Sequence, residues 1–143
     1  MRIHARKTLN RTLLLKVAAR LKRLRHQAHY NQSTFIETNA CGTACCIAGW
    51  ALLESGMKPK EVEQIREDFP GGVGQAAVDV LGLPTSSRYP TLFHEFPSIS
   101  WPEPYATRWA NSTEKGPNRQ SKIAADLLEA IAKGKVKITK DGG

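Results

Sequence analysis

Thirteen consecutive residues, Cys41-Gly42-Thr43-Ala44-Cys45-Cys46-Ile47-Ala48-Gly49-Trp50-Ala51-Leu52-Leu53, restrict what this chain can fold into more than any other stretch. They hold every cysteine of the protein and no charged residue, and small side chains surround one tryptophan. Thr43 reads as an N-cap whose hydroxyl accepts from an orphan amide of the first turn. A helix is therefore expected from about Ala44 to Ser55, with Gly56 just past its end. Cys46, Ile47, Trp50, Ala51 and Leu53 supply its apolar surface. Gly49 costs about 1 kcal/mol relative to Ala in a helix interior, a cost accepted where another element comes close. Ala44, Ala48 and Ala51 permit the same approach, so this is read as the central, most buried helix of a small helical domain.

The cysteines have three chemical readings. In the first, Cys41 or Cys45 lies near a helix N-terminus, where the dipole favours a thiolate. Over five residues, Cys-Gly-x-Ala-Cys resembles the nucleophile segment of bacteriocin-leader-type, papain-like peptidases. Those enzymes carry the partner histidine on a sheet, whereas here the one downstream histidine is His94, in a Pro-rich stretch. In the second, His26 and His29 join two of the three cysteines, Cys41 and Cys46, in a tetrahedral zinc site. The order is inverted relative to the usual finger, and adjacent Cys45-Cys46 is poor ligand spacing. In the third, the thiols are small buried hydrophobes, a Cys41–Cys46 disulfide being a minor variant. The third reading is adopted, and no cofactor or metal is expected.

Cys41-Gly42-Thr43 followed by Cys46-Ile47-Ala48-Gly49-Trp50-Ala51 resembles the CGTxxCxAG(W/H)A core of a group of small bacterial and phage proteins. In that group an Ala-rich helix ending in Leu-Gly-Leu follows, then Leu-Phe, then Trp-Pro, then a closing helix. This chain has Ala76-Ala77, Leu81-Gly82-Leu83, Leu92-Phe93, Trp101-Pro102 and a final helix around Ile123 to Ile131, in the same order, so the resemblance spans roughly Phe35 to Lys133. The position of Cys45 is usually not cysteine in the group, which leaves Cys41 and Cys46 as the shared pair. The resemblance implies a core motif (Cys41, Gly42, Thr43, Cys46, Gly49, Trp50), a fold, and a phage or mobile-element setting. It implies no reaction, because the group has no established activity.

Charge is the strongest functional signal. Residues 1–36 contain nine Lys/Arg and no Asp/Glu, so they contribute +9 to the formal +8, and the other 107 residues contribute −1. From about Thr8 to Ala28 the chain repeats apolar residues at three- and four-residue steps: Leu13, Val17, Leu21, Leu24 and Ala28, with Leu14 widening the face. On a helical wheel Lys16, Arg20 and Arg23 fall on one flank, and Arg11, Lys22 and Arg25 on the other, near His29. This predicts a helix lying on the domain with a wide positive ridge, suited to phosphates or to an acidic protein surface.

The remaining elements follow in order. Gln32 to Ile36 suits a short extended piece that carries Phe35 and Ile36 into the core. Pro59 suits a first helical turn, Glu61 and Glu63 favour that N-terminus, and Val62, Ile65 and Phe69 face inward until Pro70-Gly71-Gly72 stops the helix. Gly71-Gly72-Val73-Gly74 is not a phosphate loop, because no buried strand precedes it and no Lys-Ser/Thr follows. Val73 to Leu81 reads as a short helix ended by Gly82, with Asp79 exposed. Leu92, Phe93, Phe96 and Ile99 pin an irregular segment punctuated by Pro84, Pro90 and Pro97. Ser100-Trp101-Pro102-Glu103 has the spacing of a capping box. Trp101, Tyr105, Arg108 and Trp109 are read as core aromatics with a stacking platform as the alternative. A last helix from about Asn118 to Lys133 buries Ile123, Leu127, Ala130 and Ile131, and Gly134 ends it. Met1 to Lys7 is expected as a loose basic arm, and 135–143 as a basic tail in which Val136-Lys137-Ile138 pairs weakly.

At 143 residues, 41% hydrophobic, the chain suits one mostly all-α domain, residues 1–143, of five to six short helices. No run approaches the length of a membrane span. Lys16, Arg20, Lys22 and Arg23 interrupt any signal-peptide core. Three cysteines without scaffold spacing point to a reducing cytoplasm, the host's in a phage setting. Acids are scattered, and no His–carboxylate pair stands at a suggestive spacing. The expected function is a non-catalytic accessory binding protein that takes nucleic acid or an acidic host protein surface on its first helix. A small-molecule or nucleotide binder using a cleft near Trp50, and a cysteine-dependent enzyme, are the alternatives.

Overall fold

Asn10 starts the first helix. Its side-chain oxygen accepts the Leu13 amide at 3.1 Å, satisfying one orphan donor of the first turn. Its side-chain amide donates to the Val80 carbonyl, and its backbone N–H to that of Leu81. One residue thus both begins a helix and fixes it to the end of another. The computed structural model describes residues 8–24, 37–39, 42–44, 47–68, 72–83, 98 and 101–136. Within them run α1 (Arg11–Arg23), β1 (Glu37–Asn39), β2 (Gly42–Ala44), α2 (Ile47–Glu54), α3 (Pro59–Asp68), α4 (Gly72–Leu81), α5 (Tyr105–Ala110) and α6 (Gln120–Ala132). The described residues are mostly helical, as the periodicity predicts.

Helix α1 is shorter than the span 8–28 read from periodicity. Asn10 is the cap in place of a start near Thr8, and Leu24 leaves helical geometry with ψ 117°. The end is set by tertiary contacts that hydrophobic spacing does not encode. The Leu24 carbonyl accepts from Arg119 Nε at 3.0 Å and from Ser121 Oγ at 3.2 Å. Ala28 lies outside the described residues.

The larger departure is a hairpin. Glu37, Thr38 and Asn39 pair antiparallel with Ala44, Thr43 and Gly42. Thr43 is therefore a strand residue rather than an N-cap, and α2 begins at Ile47, three residues later than expected. Thr38 and Thr43 are register partners, and β-branched residues are enriched in strands. Pairing also satisfies backbone groups that a lone cap would leave to water. The extended pieces read at 32–36 and at 136–138 fall wholly or mostly outside the described residues.

Six consecutive residues of α2, Ile47 to Leu52, are buried, Gly49 among them. No solvated stripe remains in that run, which is what a helix enclosed by neighbours requires. α2 packs on α1, α3 and α4, while α1 lies most extensively along α6. Leu14, Val17 and Leu21 of α1 and Ile123, Leu127 and Leu128 of α6 are almost completely buried, in one core with Ile47, Leu52 and Leu81. α3 buries Val62 and Ile65 and keeps its acids at the surface. Its first turn is closed by Glu61, whose carboxylate accepts the Lys58 amide at 2.9 Å.

α2 and α6 end as the sequence indicates. Gly56 and Gly134 have φ of 112° and 78°. Both sit in the left-handed region that a side chain disfavours. At α6 the Gly134 N–H returns to Ile131 O and the Lys135 N–H to Ala130 O, the paired bonds of a Schellman motif. Of the capping box expected at Ser100–Glu103, Ser100 lies outside the described residues, and α5 does not begin directly after Trp101. It starts at Tyr105, and the Glu103 carboxylate instead accepts from the backbone N–H and hydroxyl of Thr107.

Candidate binding surface

α1 carries no acidic residue, and its cations do not all do the same thing. Two groups, both on the flanks of the helix, are tied to its neighbours. On the α2 side, Arg20 Nε meets the Glu54 carboxylate at 2.6 Å, and its guanidinium carbon stands 5.8 Å from the centre of the Trp50 ring. The Glu54 side chain is only 10% exposed, so Arg20 compensates a carboxylate that water barely reaches. On the α6 side, Lys22 pairs with Glu129, and the Arg11 guanidinium donates to the Ala132 carbonyl.

Arg11 has a counterpart. Arg119, at the start of α6, donates from Nη2 to Lys22 O at 2.6 Å and from Nε to Leu24 O. The two helices run antiparallel, and each places an arginine from its own first residues on the last carbonyls of the other. A cation at a helix N-terminus opposes its own dipole, but delivered to another helix's C-terminus it is favoured. The Arg fork satisfies carbonyls that the helix leaves open. Sequence reasoning missed Arg119, because nothing local in the sequence distinguishes it from the other arginines.

The crest of α1, between these flanks, is different. Thr12, Leu15, Lys16, Ala19 and Arg23 are exposed. Leu15 is 41% exposed and is the one large hydrophobic side chain left at the surface among the described residues. No ion pair among the described residues involves Lys16 or Arg23. Of the six binding candidates, then, Arg11, Arg20 and Lys22 staple the helix, Lys16 and Arg23 stand clear on its crest, and Arg25 lies outside the described residues.

The aromatic group belongs partly to the core, with Tyr105 and Trp109 half-buried. Trp101 is buried and meets Trp109 edge-on, with ring centroids 5.1 Å apart. Arg108 pairs with Asp126 at 2.9 Å, and Lys122 shares that carboxylate. Burial, and secondarily the Asp126 charge, push the Tyr105 phenol above its ordinary value, so it stays neutral. The bonds from Thr107, side chain first and backbone second, hold the Glu103 carboxyl below the usual glutamate range. Asp79, expected to be exposed, is half-buried; it accepts from Gln75 and has no basic partner among the described residues.

The other candidates separate by location. Gly42 and Thr43 lie in β2, while Gly49 and Trp50 lie in α2, with Trp50 buried beneath Arg20. Cys41, Cys45, Cys46, His26, His29 and His94 fall outside the described residues, and the nucleophile and zinc readings with them. Among the described residues no three His, Cys, Asp or Glu side chains cluster as metal ligands, and no helix is long and apolar enough to cross a membrane. Comparison with family models, with curated proteins and with solved structures finds no match.

Proposed function

We propose that this protein is a non-catalytic binding protein that takes an acidic partner, nucleic acid or protein, on its first helix. One observation carries the reading: nine cations and no acids occupy residues 1–36, while the rest of the chain is nearly neutral. Lys16 and Arg23 on the crest, clear of any acid of their own helix, extend that asymmetry to the surface. The ordered motifs from Cys41 to Trp101-Pro102 support a phage or mobile-element accessory role, carried out in the host cytoplasm.

The test is fluorescence anisotropy with labelled single- and double-stranded DNA and RNA at low and physiological salt. The variant is Lys16→Gln/Arg23→Gln, with Arg20 kept because it compensates Glu54. Nucleic-acid binding that weakens steeply with salt and falls in the variant supports the nucleic-acid half of the reading. Absence of binding at low salt removes that half and leaves a protein partner.

A further inference from the structure

We infer that the crest of α1 seats an acidic amphipathic segment of a partner protein, an apolar side chain lodging on Leu15 and Ala19 while carboxylates meet Lys16 and Arg23. The inference rests on the reading just given and decides between its two halves.

Three observations favour protein over nucleic acid. The first is the depletion of free charge. Arg11 and Lys22 turn toward α6 and Arg20 toward Glu54, which leaves two unpaired crest cations on α1 among the described residues. A duplex bound through its backbone needs many phosphates neutralised at once, whereas a protein segment needs only a few carboxylates.

The second is Leu15. Every other large hydrophobic residue in the described part is wholly or partly covered. An exposed leucine beside a small alanine one turn on gives a shallow apolar step bordered by cations. Phosphates gain nothing from such a step, but an apolar side chain within an acidic segment does.

The third is the stiffness of the crest. α1 is held at both ends, by Asn10 on α4 and by Arg119 on Lys22 and Leu24, and along both flanks by ion pairs. Thr12, Leu15, Ala19 and Arg23 therefore stand along one rigid line, at the spacing of a helix face. Binding there orders side chains but no backbone, which lowers the cost of association.

The test uses the full chain and three labelled probes at about 0.15 M salt. Two are peptides of about 18 residues, equal in negative charge, one with Leu and the other with Ser at i, i+3, i+4 and i+7. The third is duplex DNA. The expected result is that the Leu peptide binds about tenfold tighter than the Ser peptide, that Leu15→Ser erases the difference, and that Lys16→Gln/Arg23→Gln weakens both peptides. Leu15→Ser removes an exposed side chain, and circular dichroism of the variant confirms that the fold is kept. Equal binding of the two peptides, or an unchanged preference in Leu15→Ser, overturns the inference. DNA binding lost in Lys16→Gln/Arg23→Gln, with neither peptide bound, also overturns it and leaves the broader reading standing. Binding of no probe at this or lower salt defeats both.

Discussion

Helix α1 has an inner side and flanks committed to the fold, and a crest that makes no ion pair and buries no large side chain among the described residues. The same residue types occur in both regions. Arg20 and Arg23 are three positions apart, yet one covers Trp50 and compensates Glu54 while the other stands in solvent. Leu14 and Leu15 are adjacent, yet one is fully buried and the other is 41% exposed. The difference teaches that on a basic helix a count of cations overstates the surface offered to a partner. Cations near the buried stripe lie within reach of neighbouring helices and are drawn into capping and pairing. Among the described residues of α1, those opposite the stripe, Lys16 and Arg23, are the ones without an ion pair.

The comparison breaks most easily where α1 meets α6. Leu127→Ala removes a completely buried side chain at that seam and is expected to cost about 3 kcal/mol, within the usual range for buried leucine truncation. Leu15→Ala on the crest is expected to stay within about 0.5 kcal/mol of the parent. Urea unfolding of both variants checks this. Equal losses would mean that Leu15 is covered in solution.

Arg119→Ala is next. It removes donors to the carbonyls of Lys22 and Leu24 at the end of α1, and to that of Gly116. The expected loss is about 2 kcal/mol, in line with charged hydrogen bonds to partly buried carbonyls. Arg119→Lys should recover less than half of it, because an ammonium cannot span two carbonyls as the planar fork does. Full recovery by lysine would reduce the clamp to a charge effect.

Much of this architecture was legible in the sequence, and the illegible parts share a cause. The buried stripe of α1, the enclosed α2 and the glycine stops at Gly56 and Gly134 follow from periodicity and backbone preference, which are local. The position of Thr43 does not. As a β-branched residue beside glycine it serves equally as a cap or a strand residue, and only its pairing with Thr38 decides. The fate of each cation was equally hidden. A wheel assigns Arg20 to a flank, but whether an acid waits there depends on Glu54, which is 34 residues away in sequence. Likewise the crest is visible only once α2 and α6 are placed.

A subtler effect is expected at Arg20. Its side chain is 43% exposed, so its pair with Glu54 is partly screened by water and worth about 1 kcal/mol at most. The two sides of the pair should not be equivalent. Arg20→Gln leaves a carboxylate that is only 10% exposed without its cation, whereas Glu54→Gln leaves a cation already in contact with solvent. Arg20→Gln is therefore expected to cost more than Glu54→Gln, and a double-mutant cycle in urea isolates the coupling. If Glu54→Gln costs more, Arg20 serves the fold less than it serves the surface, and it belongs with the crest.

The smallest expected effect on stability is at the crest itself. Lys16→Gln/Arg23→Gln removes two exposed cations with no ion pair among the described residues. The change should leave unfolding free energy within about 0.5 kcal/mol, or raise it slightly, since α1 is a helix of one sign and self-repulsion falls when charge is removed. Arg23 lies in the last turn of α1, where a cation is favoured by the dipole, so a small loss there offsets part of that gain. A variant that folds as the parent does, yet loses its partner, places the function on residues the fold does not need. A variant that unfolds with the loss of these two charges would show that crest and flanks are a single structural unit, and the distinction on which the partner surface is drawn would fail.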